Sequence, residues 1–146
     1  MKIDNGKLDI QKTLGTIKAV HDEFENAKVK QKYVSTPILS DYSKLSVLWA
    51  HFCLEIGKED GGSSIDRQKF IFIAQYLYAP LTLLGERMPK RFRHNLTKVM
   101  GIKSGSVISR YSRNSLFFYK NYVKFRADVD RIFRNIMVKP NPLTAQ

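Results

Sequence analysis

Between positions 104 and 114 the chain offers the hydroxyls of Ser104, Ser106 and Ser109, the guanidinium groups of Arg110 and Arg113 and the carboxamide of Asn114. Short hydroxyls and the free amides of a helix start meet phosphate oxygens, while arginine and asparagine pair bidentately with guanine and adenine edges in a major groove. Just upstream, Lys90, Arg91, Arg93, Lys98 and Lys103 are cations of the kind that neutralise a phosphate backbone and make affinity fall with salt. The chemistry on offer is recognition of a polyanion. Bond-making chemistry has no comparable cluster: His21, His51 and His94 are far apart, none has a second ligand at a metal-binding interval, and there is no GxGxxG, Walker loop or nucleophile elbow. The expectation is a non-enzymatic protein with no metal and no cofactor. Cys53, the single cysteine, falls on an apolar helix face and reads as a packing residue, not a reactive thiol.

Charge supports the same emphasis through its distribution. The 146 residues carry a net charge of +12. From Arg87 to Lys139 there are fourteen Lys and Arg against two acids, Asp128 and Asp130, whereas the remaining residues hold eleven of each sign. All of the excess therefore lies in the last third, where a local footprint for a polyanion would have to be. With 43% hydrophobic and 26% charged residues the composition is globular, and the length allows one domain with a real core.

The elements that must position the basic cluster follow from apolar spacing. Ile10, Leu14, Ile17 and Phe24 recur at intervals of four, three and seven, predicting a helix from about Leu8 to Ala27 whose stripe serves either the chain's own core or a seam with a second copy. Gly15 weakens that helix. Lys28 to Leu39 has no sustained apolar period and reads as a linker. Ser40 or Asp41 can cap a helix carrying Leu45, Leu48, Trp49, Phe52 and Ile56, which Gly57 ends. Ser63 and Asp66 have capping-box spacing, and the run from Phe70 to Ala79, stopped by Pro80, is apolar on every side and so belongs at the centre of the core. Leu81 to Pro89 reads as an irregular connection.

Lys90 to Met100 is then a basic amphipathic helix, with Phe92, Leu96 and Val99 inward, followed by a sharp exit at Gly101 and a second helix from about Ser104 with Val107, Ile108 and Tyr111 inward. After it come Leu116, Phe117, Phe118, Tyr119 and Tyr122, and a C-terminal amphipathic helix on Phe125, Val129, Ile132, Phe133 and Ile136. Rings interleaved with cations can stack on single strands. Core packing is the preferred reading of this aromatic run, since a small helical domain needs bulk there.

The segment LTKVMGIKSGSVISRYSRN, Leu96 to Asn114, resembles the helix-turn-helix of bacterial and phage regulators, whose usual run is glycine, aliphatic, Ser or Thr, three variable residues, Val, Ser and often Arg. Here Val107, Ile108 and Ser109 come one residue late, so either the turn is one residue longer or Ile108 takes the inward place. The longer stretch from Arg67 through Phe133, including YLYAPLTLLGERMP, GIKSGSVIS and FRADVDRIF, is similar to small helical proteins of Bacteroidetes phages and mobile elements. The expected role is transcription regulation or DNA handling for a phage or mobile element, in the cytoplasm of a bacterial host cell.

The combined expectation is an all-α protein with a single helical domain of about five to six helices. Residues 1–39 form an N-terminal helix and linker that could join two copies as a homodimer. Residues 40–138 form the core domain, with a helix-turn-helix around 90–114, and residues 139–146 a tail. The expected partner is duplex DNA, met at its phosphate backbone and major groove. Competing readings are a structural or interaction protein of a virion or host-takeover system whose basic face touches packaged DNA or an acidic partner, and RNA binding by the same surface. No stretch reaches the roughly 18 uncharged apolar residues of a membrane span, and the first residues lack the apolar core of a signal peptide.

Overall fold

The structure, a computed structural model, describes residues 5–23 and 37–138. Those residues form six α-helices and no strand: α1 (Ile10–Glu23), α2 (Leu45–Ile56), α3 (Ser64–Tyr78), α4 (Lys90–Met100), α5 (Gly105–Asn121) and α6 (Val123–Val138), with 3-10 turns at Asn5–Leu8, Tyr42–Lys44 and Pro80–Leu84. The fold is all-α. Its centre is α3, where every residue from Phe70 to Tyr78 is buried. A helix without a polar face must be enclosed, and α2, α5 and α6 lie directly against it while α4 packs on α2 and α5. Ring contacts mark the seams: Trp49 and Phe52 of α2 meet Phe70 edge-on at 4.7 and 5.4 Å, Tyr119 of α5 stacks on Phe72 at 4.2 Å, and Phe133 of α6 meets Tyr76 edge-on at 5.3 Å. Burying each such side chain stabilises by roughly 1.5–3 kcal/mol.

Local chemistry sets the ends of α3. Ser63 Oγ accepts from the Asp66 amide at 3.2 Å and the Asp66 carboxylate accepts from the Ser63 amide at 3.0 Å, completing the capping box. Gly61, just before it, has a positive φ of 86° and lies flat against the Trp49 ring, a place where any Cβ would collide. At the other end Pro80 halts the helix, and the connection expected to be irregular begins instead as the 3-10 turn Pro80–Leu84 and is without regular structure from there to Pro89. The turn forms because the Thr82 amide can bond the Ala79 carbonyl at 3.0 Å, which the trans-proline start allows.

Two tyrosines of α3 and one carbonyl tie down the chain that precedes α2. Tyr76 Oη donates to the Lys7 carbonyl at 2.6 Å, Tyr78 Oη donates to the Asp41 carbonyl at 2.8 Å, and the Leu39 amide donates to the Leu77 carbonyl at 2.9 Å. Leu39 is buried, so it belongs to the core and not to the linker expected to end with it. The reason is that the last carbonyls of α3 need donors, and Leu39 supplies one. Residues 24–36, which hold Phe24 and most of that linker, lie outside the described residues, as does the tail 139–146.

Within α1, Ile10 and Ile17 are buried by the chain itself, Leu14 is half-buried and Gly15 is exposed. Leu8 falls in the preceding 3-10 turn, so the helix starts two residues later than its apolar pattern predicts, with Asp9 Oδ1 accepting from the Lys12 amide at 3.0 Å. Asp41 does act as a cap, but of the 3-10 turn Tyr42–Lys44 that leads into α2. Cys53 is buried on α2, and that burial pushes its thiol up, away from the reactive thiolate.

Candidate nucleic-acid interface

The link between α4 and α5 is the four residues Gly101–Ser104. Gly101 has φ 65°, and the Ile102 amide reaches back to the Thr97 carbonyl at 3.0 Å, the bond that closes a helix end around a left-handed residue. A Cβ at Gly101 would meet nothing, so it is the backbone angle and not space that calls for glycine there. Ile102 returns to the core, Lys103 is exposed, and Ser104 caps α5 by accepting from the Ser106 amide at 3.2 Å. The Ser104 and Ser106 hydroxyls also bond each other at 2.7 Å.

On α4, Phe92, Leu96 and Met100 are buried and Val99 is half-buried. Met100, four residues after Leu96, was not among the inward residues expected from spacing, and it displaces Val99 toward the edge. Lys90, Arg91, His94 and Lys98 are exposed. The Arg91 guanidinium lies 5.7 Å from the Tyr42 ring, a cation–π contact that holds it against the start of α2. Arg93 is half-buried and lies across the first turn of α5, where a Cβ on Gly105 would come to 3.1 Å from its Nε. Gly105 thus makes room for a cation over a helix start.

On α5, Ile108, Ser115 and Tyr119 are buried, with Val107, Tyr111, Leu116 and Phe118 half-buried beside them. Of the adjacent apolar residues Val107 and Ile108, Ile108 is the fully buried one. The exposed residues Ser106, Arg110, Arg113, Phe117 and Lys120 follow at intervals of four, three, four and three, a single stripe along the outside of the helix. Ser109 and Asn114 are half-buried at its margin, and the Ser109 hydroxyl donates to the Gly105 carbonyl at 3.2 Å. Behind the stripe, the fully buried Gln75 of α3 donates to Ser112 Oγ at 2.7 Å and to Thr82 Oγ1 at 2.9 Å, while its Oε1 has no partner. Small residues at 112 and 115 let α5 approach α3, where the Gln75 amide bonds Ser112.

Electrostatics separate this face from the rest. The ion pairs among the described residues are Lys58–Asp66, Lys69–Asp66, Lys69–Asp128 and Arg131–Asp128. None of the expected cations on α4, its following turn or α5 takes part. The two acids of the basic third are already engaged: Asp128 contacts Lys69 Nζ at 3.1 Å and Arg131 at 3.3 Å, and Asp130 accepts from Tyr119 Oη at 2.8 Å. Burial pushes the Asp128 carboxyl up, but the hydrogen bonds and charges of Lys69 and Arg131 outweigh it and hold the group below its ordinary value. Burial pushes the Tyr119 phenol far up, and the bond to Asp130 adds to that.

The aromatic run divides in a way that spacing alone did not show. Tyr119 and Phe125 are buried and Phe118 half-buried, as a core reading requires, but Phe117 and Tyr122 are more than half exposed, at 54% and 52%. The signal was available, since Phe117 falls four residues after Arg113 on the outward stripe.

A cleft of about 280 Å³ between α1 and the C-terminal end of α5 is lined by Leu14, Lys18, Leu83, Leu116, Tyr119 and Arg126 among others, and its described lining holds no carboxylate, histidine or thiol. Among the described residues no group of three or more His, Cys, Asp and Glu could hold a metal ion, and no helix is long and apolar enough to cross a membrane. No family model, curated protein or solved structure matches the chain.

Proposed function

We propose that this chain binds duplex DNA through α4 and α5 acting as a helix-turn-helix, with α5 in the major groove and α4 across the backbone. The observation that carries the reading is the exposed stripe Ser106, Arg110, Arg113 on a helix whose neighbouring cations, Lys90, Lys98 and Lys103, are exposed and in no ion pair among the described residues. Uncompensated charge raises self-repulsion within a folded protein and is relieved by a polyanion. Lys90, Arg91, Arg93, Lys98 and Lys103 would neutralise phosphates. Ser104 and Ser106 at the start of α5 would face a phosphate together with the overlying Arg93, and Arg110 and Arg113 would reach base edges, with Ser109 and Asn114 at the margin of the contact.

Sequence-specific binding, in transcription regulation or DNA handling of a phage or mobile element, is the use that best fits guanidinium groups on a groove-sized helix. Ile10 of α1 belongs to the chain's own core and Ile17 is buried, so a homodimer seam on α1 would have to rely on the rest of the stripe. Five neutralised phosphates predict an affinity loss of about 500-fold between roughly 50 and 200 mM salt. Titration against a random-sequence duplex library with sequencing of the bound fraction tests the reading. An enriched motif lost on Arg113→Ala is expected. Uniform binding to all duplexes would replace specific recognition by packaging, and no binding at the lower salt would overturn the proposal.

A further inference from the structure

We infer that the binding face continues past the duplex-reading residues onto a stacking platform made by Phe117 and Tyr122, so that the preferred ligand is DNA in which a duplex adjoins an unpaired strand. This rests on the proposed function and extends it from the duplex to the class of DNA structure that is bound. Phe117 is on the same outward stripe as Arg110 and Arg113, one helical turn beyond Arg113. At about 1.5 Å per residue that turn is about 6 Å, a distance that a nucleotide next to one contacted by Arg113 can span. An unpaired base leaving the end of a duplex held by Arg110 and Arg113 would arrive at the Phe117 ring.

The platform is built and stiff. Tyr122 is the single residue between α5 and α6; its amide bonds the Phe118 carbonyl at 2.8 Å and its carbonyl receives the Arg126 amide at 3.0 Å. Arg126 Nη1 closes the same corner, reaching the Tyr119 and Lys120 carbonyls at 3.2 and 3.3 Å. Phe118, half-buried, braces Tyr122 at 5.4 Å and Phe125 at 5.5 Å. The Phe117 and Tyr122 rings stand 6.0 Å apart at 76°, so a base lying flat on one meets the edge of the other. Val123 beside them is 71% exposed. None of these three side chains is needed to fill the core.

Charge selects the occupant. Arg113 and Lys120 flank Phe117 on the exposed stripe and Lys124 follows Tyr122 by two residues; all three are exposed and none is in an ion pair among the described residues. A second copy of the chain docked on this corner would bring the same cations face to face, whereas a nucleic-acid strand brings phosphates to the cations and a π-face to each ring. Ring faces interleaved with cations are what unpaired bases need, and stacking tolerates any sequence.

The test compares a blunt duplex of about 20 base pairs with the same duplex carrying a single-stranded extension of about six nucleotides on either end polarity. One base of the extension is replaced by 2-aminopurine, whose fluorescence is quenched on stacking. The wild-type chain should bind one of the tailed duplexes about tenfold more tightly than the blunt one and quench the probe. Phe117→Ala and Tyr122→Ala, both exposed and therefore expected to keep the helical circular dichroism spectrum, should each lose that preference and the quench while binding the blunt duplex within about twofold of wild type. Equal binding of tailed and blunt duplexes by the wild-type chain would overturn the inference and leave duplex binding standing. Absence of binding to either DNA would overturn both. If the two substitutions instead abolished a self-association seen in sedimentation and left the DNA preference unchanged, the corner would be a contact between copies and the inference would be wrong.

Discussion

Lysine and arginine have two different fates in this molecule. At the edge of the core, between α3 and α6, Lys69 and Arg131 are drawn into a chain of carboxylates, Asp66 and Asp128, and each charge is compensated. On the outer faces of α4 and α5 the same residue types are exposed and take part in none of the ion pairs among the described residues. The first arrangement holds helices together. The second adds nothing to the fold through ion pairing, and its persistence as an ordered stripe is what points to a ligand. Equal numbers of cations can thus mean a structural seam or a binding face, and the position of the acids tells which.

The sharpest way to break this division is to set one core residue against one stripe residue. Phe72→Ala, in a fully buried position stacked on Tyr119, should cost about 3–5 kcal/mol in denaturant unfolding, while Arg113→Ala should change stability by less than about 0.5 kcal/mol. A comparable loss from both would show that the stripe is structural. The turn between the two helices comes next. Gly101→Ala forces a side chain into a φ of 65° and should destabilise by about 1–2 kcal/mol without touching any cation. A stable Gly101→Ala protein would mean that the turn relaxes, and with it the placement of α5.

A smaller effect should appear at high pH, on the α3 side of the comparison. Burial pushes the Tyr76 phenol up to about 12, so the neutral donor to the Lys7 carbonyl is favoured by the fold. The folded-state value is the higher one. Its contribution is therefore complete below the ordinary value near 10 and is lost as pH rises from there through about 12. Tyr76→Phe should flatten part of that loss in thermal melts taken across the same range. A melt that stays level from pH 9 to 12 in the unsubstituted chain would contradict the buried, hydrogen-bonded phenol.

Much of this framework was legible in the sequence because its signals are local. The Ser63–Asp66 capping box, the all-apolar run of α3, and the Lys90–Met100 helix with its exit at Gly101 each depend on residues a few positions apart. What spacing could not supply depended on long-range partners. Leu39 looked like linker because nothing nearby in sequence reveals that the Leu77 carbonyl needs its amide. Val107 and Ile108 are both expected inward, and only the packing of α5 on α3 shows Ile108 fully buried and Val107 half-buried. Phe117 and Tyr122 were read as core with their aromatic neighbours, because hydrophobic bulk says how much can be buried and not which rings the neighbouring helices leave uncovered. On the candidate site, spacing placed Lys90, Arg91, Lys98, Lys103, Ser104, Ser106, Arg110 and Arg113 where they are exposed, and placed Arg93, Ser109 and Asn114 less well, since these are half-buried.

The most direct test of the uncompensated face is the salt dependence of duplex affinity for the wild-type chain and for a Lys90→Ala, Lys98→Ala, Lys103→Ala triple variant. The three lysines are exposed, so the variant should fold as the parent does. If they meet phosphates, the slope of log affinity against log salt should fall in magnitude by about 3, with weaker binding to every duplex alike. An unchanged slope, or no binding by the wild-type chain at about 50 mM salt, would contradict a phosphate-binding role for the cations of α4 and α5.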